Sequence, residues 1–280
     1  MMRLACTSLS FGRAFKEGQL DLVRFIDICK DLDLDGVDLN TATIPTEDAS
    51  YLKEIKLRCL RYGLSIACVS ISNNFGRSAE QADHEVEMTK RWIGHALLLG
   101  APQVRVFAGT VPSGADRTEA WERAERCLKE VADYGYQCGI RVALQNHNHG
   151  ALTPNGDDVL RFIERAGPHL GHVWDTGQYV GSPGASGASA ELGAQEILYE
   201  NLRQTAHLAT HVRAKFYRIE TGVERWLDYP RIFSILHGTR YNGFCSIVYE
   251  GPDDELKSVQ LASVFLRPFL IQAGRPGDAS

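Results

Sequence analysis

The sequence has no long hydrophobic run and no cysteine cluster, and both absences restrict what the chain can be. No apolar stretch approaches the roughly 18 residues that a membrane-spanning helix needs, and the N-terminus lacks a charged region followed by a hydrophobic one. We therefore expect a cytoplasmic protein with no membrane partner. The seven cysteines form no CxxC or Cys/His cluster, and this pattern is typical of reduced core cysteines.

The chain also lacks a basic surplus and the glycine motifs that bind nucleotides. Its 30 basic and 35 acidic residues give a net charge of -5, so no basic surface for nucleic acid is expected. Neither a dinucleotide-binding glycine motif nor a phosphate-binding loop is present. A small-molecule ligand is the remaining expectation, and 280 residues with 44% hydrophobic content suffice for one large core.

Eight short apolar runs have the length of buried strands, and segments with helical periodicity separate them. The predicted strands lie at 3–9, 36–39, 64–71 and 103–107 and within 142–147, 172–178, 211–215 and 246–251. The predicted helices lie at 20–32, 49–62, 80–99, 118–138, 155–166, 190–208, 229–236 and 253–273. Strict alternation requires parallel strands joined by right-handed crossovers, and eight unbroken units favour a closed barrel over an open doubly wound sheet. We therefore predict a single α/β domain, a (β/α)8 barrel, over residues 1–273.

Two segments fall outside this alternation. Residues 181–189 are rich in glycine and serine and follow the sixth strand, where a loop can cover the mouth of a barrel. We predict a mobile lid there, with an idle insertion as an equal alternative. Residues 274–280 are predicted to form a frayed tail.

Four of the predicted strands end in polar residues that can hold a sugar or a metal. In a closed parallel barrel the C-terminal ends of the strands meet around one mouth, and catalytic groups come from several strands at once. The four ends are Gln145-Asn146-His147, Asp175-Thr176-Gly177-Gln178, His211-Val212-Arg213-Ala214-Lys215 and Glu250-Gly251. We expect these side chains to share one site.

In these four motifs the chain resembles the xylose isomerase-like family of sugar-phosphate isomerases and epimerases, and the match covers nearly its whole length. That family typically has Glu-Asn-His, Asp-Thr-Gly-His, His-x-His-x-Lys and a final Glu at these places. The resemblance implies a TIM barrel with a divalent cation held by the two glutamates, the Asp and the second His. It also implies that the two glutamates pass a proton on and off a sugar carbon. Asp175 and Glu250 keep the family's residues, whereas Gln145 and Arg213 replace a glutamate and a histidine.

The two replacements change the chemistry. An amide oxygen can ligate a hard cation, but an amide cannot accept a proton at neutral pH, so Gln145 cannot be a second acid–base group. Arg213 has no lone pair and carries a permanent charge. Two unit charges about 4 Å apart repel by about 4 kcal/mol at an effective dielectric constant near 20, and a divalent ion doubles that. We hypothesise that the Arg213 guanidinium replaces the ion and balances Asp175 and Glu250. The expected cofactor is therefore none, or a weakly held Mg, Mn or Zn ion on Asp175, Glu250 and Gln145.

The candidate catalytic residues are Glu250, Lys215 and His147. Glu250 is predicted to remove a proton beside a carbonyl, poised if partial burial raises its pKa, and a structural ion pair with Arg213 or Arg105 is the alternative. Lys215 or His147 is predicted to return the proton. For Lys215 the alternative is an ammonium that only neutralises a carboxylate at the mouth.

Further polar residues are candidate substrate contacts. Arg105 lies in the middle of a strand and is predicted either to point into the barrel or to pair with a helix. Asp38 and Asn40 alternate at the end of the second strand, so both can face the mouth. The predicted substrate contacts are Gln145, Arg213, Gln178, His149, Arg105 and Trp226.

We predict an isomerase or epimerase that acts on a sugar or sugar phosphate by abstracting a proton beside a carbonyl. A dehydratase of a keto-sugar or an inositol begins with the same step and is the first alternative. A barrel that binds a sugar without turnover is the second, since two presumed ligands are replaced. The expected partner is the small sugar substrate, and pairing of two copies of the chain stays open.

Overall fold

The eight predicted strands form one closed barrel in the computed structural model, which describes residues 1–185, 187 and 192–271. The strands are β1 (Arg3–Thr7), β2 (Gly36–Asn40), β3 (Ser65–Ser70), β4 (Gln103–Val106), β5 (Arg141–Gln145), β6 (Leu170–Asp175), β7 (Ala209–Phe216) and β8 (Phe244–Tyr249). All neighbours pair in parallel, and β8 pairs with β1. The prediction of a single (β/α)8 barrel is confirmed.

The helices follow the predicted order with one addition. Within the described residues they are α1 (Gly12–Lys16), α2 (Leu22–Asp31), α3 (Ala49–Arg61), α4 (Ala79–Leu99), α5 (Arg117–Gln137), α6 (Gly156–Ala166), α7 (Leu192–Thr205), α8 (Tyr229–His237) and α9 (Glu255–Leu266). Five residues are too few to show a helical period, so the sequence does not predict α1. The last helix ends earlier than expected. The chain passes into a 3-10 helix at Arg267–Leu270, where Pro268 has no N–H for an α-helical hydrogen bond.

Some predicted features fall outside the described residues. Residues 186, 188 and 189 of the predicted lid, residues 190 and 191 of the following predicted helix, and the whole predicted tail are among them. No helix in the described part of the chain is long and apolar enough to cross a membrane.

Local chemistry sets the helix ends. The side chain of Asp21 accepts a hydrogen bond from the backbone N–H of Arg24 at 2.7 Å and caps the N-terminus of α2. Gly100 follows α4 with a φ of 79°, a left-handed conformation that glycine adopts without steric cost, and the chain turns there towards β4.

Alternating side chains divide each strand between an apolar outer layer and a polar interior. On β6, the indole of Trp174 donates to the carbonyl of Leu202 in α7 at 3.1 Å. Next to it, the buried Asp175 accepts a hydrogen bond from Gln145 on β5. The seven cysteines are all free, and all but Cys138 are buried. The hydrophobic core therefore lies between strands and helices, and the buried charged residues of the strands lie inside the barrel.

Candidate active site

The guanidinium of Arg213 is anchored across the barrel on β2 and β3. Its Nε and Nη2 donate to Asp38 Oδ2 at 3.2 and 2.8 Å, and Nη2 also donates to Ser70 Oγ at 2.5 Å. Its Nη1 donates to Gln145 Oε1 at 3.1 Å. Burial raises the pKa of Asp38, but Arg213 and His211 outweigh it, and the pKa lies well below its ordinary value. Asp38 and Arg213 therefore form an ionised pair in the barrel interior.

Lys215, not Arg213, supplies the cation between Asp175 and Glu250. Its Nζ lies 2.7 Å from Glu250 Oε1 and 3.6 Å from Asp175 Oδ2. Arg213 lowers the pKa of both carboxylates only weakly and from a distance, so the expectation that its guanidinium takes the place of the ion between them is wrong. Arg213 pairs with Asp175 in the strand register, but its long side chain crosses the barrel to the fully buried Asp38. Lys215 is two residues further along β7, which places it roughly 6 to 7 Å nearer the mouth.

Asp175 is held by three groups around its carboxylate. Its Oδ2 accepts from Gln145 Nε2 at 2.8 Å and its Oδ1 accepts from the backbone N–H of Gly177 at 3.0 Å. Burial raises the pKa of Asp175 and Lys215 lowers it, and the net direction is upward. Gln145 thus bonds Arg213 through its oxygen and Asp175 through its nitrogen, and its role as a substrate contact stays a prediction.

Glu250 follows β8 at the rim, where its side chain is 38% exposed. Desolvation raises the pKa of Glu250, but the Lys215 ammonium lowers it more, and the net direction is downward. The expectation that partial burial raises this pKa is therefore wrong, because a cation lies 2.7 Å from the carboxylate. Glu250 is ionised at neutral pH.

A close approach between two strand ends fixes the position of Lys215. A Cβ atom at Gly177 would lie 2.5 Å from Cγ and 2.7 Å from Cβ of Lys215, and 3.0 Å from the hydroxyl of Tyr217. Real Cβ atoms do not come so near, so only glycine at 177 lets the lysine stem pass beneath the turn after β6. The backbone N–H of Lys215 also donates to Thr176 Oγ1 at 2.9 Å. The Asp-Thr-Gly motif therefore positions the ammonium as well as the carboxylate.

His147 and His149 lie on the loop after β5. His147 is half-buried, and its ring centroid lies 5.0 Å from that of Phe107 and 5.2 Å from that of His149. Burial, with smaller effects of His149, Lys215 and Arg105, lowers the pKa of His147 to about 4. The His147 imidazole is therefore neutral near pH 7 and can donate or accept a proton, whereas His149 is exposed.

The remaining three predicted substrate contacts differ in how deeply they are buried. Arg105 points into the barrel, where it is 1% exposed, so pairing with a helix is excluded. Gln178 is buried, and its Oε1 has no hydrogen-bond partner. Trp226 is half-buried on the loop after β7, with its ring 6.1 Å from that of Tyr217. It also touches the glycine- and serine-rich segment, since a Cβ at Gly187 would lie 2.8 Å from the indole.

Sequence reasoning missed two polar residues of the interior, Thr7 on β1 and Ser70 on β3. Thr7 pairs in register with Asp38, and Ser70 pairs with Asn40. Thr7 Oγ1 and Asn40 Nδ2 are buried without a hydrogen-bond partner. A lone threonine or serine in an apolar run forms no motif, and only its alternation with the inward-facing positions of neighbouring strands could have indicated it.

The divalent cation implied by the family resemblance does not fit these residues. The Gln145 oxygen accepts from Arg213, Asp175 Oδ2 accepts from Gln145, and Lys215 lies between Asp175 and Glu250. Within the described residues, no group of three His, Cys, Asp or Glu side chains could hold a metal ion. A cation at this place would have to displace the ammonium of Lys215 and approach the guanidinium of Arg213.

Comparisons with known proteins agree with the fold. The family model described as "Xylose isomerase-like TIM barrel" matches residues 26–268. A structure of D-psicose 3-epimerase with D-tagatose from Clostridium cellulolyticum H10 has a TM-score of 0.75 at 12% identity, covering 97% of this chain and 100% of that one. The apo form of 3-keto-D-glucoside 4-epimerase, YcjR, from E. coli has a TM-score of 0.73 at 14% identity, covering 94% and 98%. The IOLI protein with a binding zinc atom has a TM-score of 0.74 at 14% identity, covering 96% and 98%. No curated protein sequence matches the chain.

Proposed function

The chain belongs to the xylose isomerase-like TIM barrel family, and we propose that it is a sugar isomerase or epimerase that abstracts a proton beside a carbonyl without a bound metal ion. One observation carries the proposal: Lys215 Nζ lies 2.7 Å from Glu250 Oε1 and 3.6 Å from Asp175 Oδ2 at the mouth. A base and a fixed cation are the two groups that this reaction needs. The similarity to two sugar epimerases supports the reaction class.

In the proposed step, the ionised Glu250 accepts the proton from the carbon beside the carbonyl. The electron pair of the broken C–H bond forms the enolate double bond, and the carbonyl oxygen takes the negative charge. Lys215 donates to Glu250 before the step and to the enolate oxygen during it, so the ammonium keeps an anionic partner throughout. Return of the proton by Glu250 to the former carbonyl carbon, while the proton of the neighbouring hydroxyl group moves to the enolate oxygen, gives an isomer. Transfer of the proton from Glu250 to the neutral His147 imidazole, and from the resulting imidazolium to the opposite face of the carbon that lost it, gives an epimer.

Unpaired polar atoms support a polyhydroxylated substrate. Thr7 Oγ1, Asn40 Nδ2 and Gln178 Oε1 are buried without partners, and each such atom costs about 1–3 kcal/mol until it is paired. Sugar hydroxyl groups both donate and accept, so they can satisfy all three. We propose Gln178, His149 and Trp226 as substrate contacts, and assign Arg213 and Gln145 to positioning, because their hydrogen bonds go to protein groups.

The raised pKa of Asp175 favours a second candidate, a dehydratase. A carboxyl group that keeps its proton to higher pH can protonate a leaving hydroxyl group after the enolate forms. Product mass decides between the two reactions, because a dehydratase removes one water from its substrate and an isomerase removes none.

Exchange of substrate hydrogen with solvent deuterium tests the proposal. The purified protein with EDTA is incubated in D2O with D-fructose, D-tagatose, L-ribulose, D-glucuronate and D-glucose 6-phosphate, and exchange is followed by NMR. We expect exchange into at least one sugar and a loss of about 10²- to 10⁴-fold in the Glu250→Gln variant. Glu122→Gln, on the exposed face of α5, is the matched control and should exchange at the wild-type rate.

Three results contradict the proposal in different ways. Unchanged exchange in Glu250→Gln removes Glu250 as the base, and abolition of exchange by EDTA removes the metal-free mechanism. Binding of a sugar, seen as a thermal shift, without exchange or turnover of any probe would identify a sugar-binding barrel instead.

A further inference from the structure

Among the described residues, three lysine and arginine side chains are buried inside the barrel, and one of them forms no ion pair there. Arg213 has Asp38 at 2.8 Å, and Lys215 has Glu250 at 2.7 Å. Arg105 on β4 is 1% exposed and forms no ion pair within the described residues. A buried cation without a partner costs several kcal/mol, so its presence needs an explanation.

The bonds that Arg105 does make leave one edge of its guanidinium unused. Nη1 donates to the carbonyl of Ile71 at 2.7 Å, and Cζ lies 4.1 Å from the ring centroid of Phe107. Nε has no hydrogen-bond partner, and Nη2 donates to no described residue. Nε and Nη2 point to the same side of the planar group, and that edge binds the two oxygens of a carboxylate. Arg213 uses the same two nitrogens to hold Asp38 at 3.2 and 2.8 Å.

The surroundings of Arg105 place this edge near the proposed reaction centre. The ring of Phe107 contacts both the guanidinium and His147, with a centroid distance of 5.0 Å to the imidazole. Burial first, and repulsion by Arg213 second, lower the pKa of Arg105 to about 9. The charge of Asp38 and, more weakly, that of Asp175 raise it, so both carboxylates lie within electrostatic reach of this guanidinium. A ligand anion at this edge would offset the burial and the repulsion and hold the rest of the ligand beside His147 and Glu250.

We propose that Arg105 binds the carboxylate of a sugar acid, so that the substrate of this site is an anionic sugar. The inference rests on the proposed function for the reaction but on Arg105 alone for the anion. We assign a carboxylate because its two coplanar oxygens match the two parallel N–H donors of the Nε and Nη2 edge.

A matched set of ligands tests the inference in the wild-type protein. D-glucose, D-glucuronate and D-glucose 6-phosphate differ at carbon 6, and their affinities are measured by calorimetry at one salt concentration. We expect D-glucuronate to bind about 10- to 100-fold more tightly than D-glucose, as hydrogen bonds to a charged group predict. Equal affinities for the two would overturn the inference, and tighter binding of D-glucose 6-phosphate would overturn the choice of a carboxylate.

Variants assign the effect to the guanidinium. Arg105→Lys keeps the positive charge but loses the paired Nε and Nη2 donors, so the preference for D-glucuronate should fall. Arg105→Gln loses both the charge and the paired donors, so the preference should disappear. Arg165→Gln, exposed in the last turn of α6, is the control. Circular dichroism checks that each variant folds. Wild-type preference in both folded Arg105 variants would refute the assignment.

Failure of this inference is distinguishable from failure of the proposed function. Exchange of neutral ketoses that depends on Glu250, with no preference for D-glucuronate, would leave the function standing and remove the anionic substrate. Binding of D-glucuronate that depends on Arg105, with no exchange of any probe, would leave the anion site standing and remove the proposed function.

Discussion

Replacement of Asp38 by asparagine should destabilise the barrel by about 3–5 kcal/mol, because it leaves a buried guanidinium without its counter-charge. The side chains of Asp38 and Arg213 are 0% and 2% exposed, so water cannot take over the role of the carboxylate. Asparagine keeps the size of the side chain and an oxygen that can accept from Ser70 or Arg213. The loss therefore reports the charge and not a cavity.

A half-buried ion pair of similar geometry, in contact with solvent, provides the control. Arg58 donates to Asp27 through Nε and Nη2 at distances of 2.6 to 3.0 Å, but these side chains are 30% and 23% exposed. Asp27→Asn should therefore cost only about 0.2–1 kcal/mol. Urea unfolding at pH 7, followed by circular dichroism, measures both values.

The double variant Asp38→Leu with Arg213→Met is a further test of the ion pair. It removes both charges together, so it should be much more stable than Asp38→Asn, although a loss of activity is expected. A loss below about 1 kcal/mol in Asp38→Asn, or one no larger than in Asp27→Asn, would show that Arg213 does not depend on this carboxylate.

Three further predictions concern the mouth and the pH dependence. Gly177→Ala should lower the exchange rate about 10²-fold, because the added Cβ displaces Lys215. The control Gly94→Ala lies inside α4 with open space around it, so it should only stabilise the protein by about 0.5–1 kcal/mol. Equal exchange rates in the two variants would contradict the close approach between Gly177 and Lys215. Burial lowers the pKa of His172 to about 4 from 6.5, so the unfolded chain binds more protons between these pH values. His172 should contribute about 3 kcal/mol to the fall in stability as the pH drops through that range, and His147 should contribute as well, so in urea unfolding at several pH values His172→Gln should remove only the His172 part of the slope. Lys215 lowers the pKa of Glu250, so this pKa should rise in Lys215→Gln. The remaining exchange rate should therefore begin to fall, on acidification, at a higher pH than in the wild type. A fall that begins at the same pH would mean that the ammonium does not act on Glu250.

The sequence predicts the barrel and the position of its mouth well, and the reason lies in its strand ends. Polar residues end β5 and β6, follow β8 at once and alternate with apolar residues along β7, so the strand and the site appear in the same few positions. Asp175, Lys215 and Glu250 come together as that pattern indicates. Periodicity carries this information because the side chains of a strand alternate strictly between two faces.

The sequence does not predict which charged side chains pair with each other inside the barrel. Periodicity places Arg213 inside the barrel, where Asp38 and Asp175 are both candidates for its long side chain, and only the packed structure chooses Asp38. The sequence likewise does not predict the free edge of Arg105, because an arginine in a strand gives no indication of which of its nitrogens will form hydrogen bonds. Alternation gives the direction of a side chain but not its distance to groups on other strands.

The bond between Asp38 and Arg213 joins residues 175 positions apart in the chain, and this separation bears on how the protein is made. A nascent chain that has not yet produced β7 holds Asp38 without the cation to which it is hydrogen-bonded in the finished protein. Fragments that stop before β7 should consequently fail to fold stably by themselves, and the ribosome must release most of the polypeptide before the barrel can close.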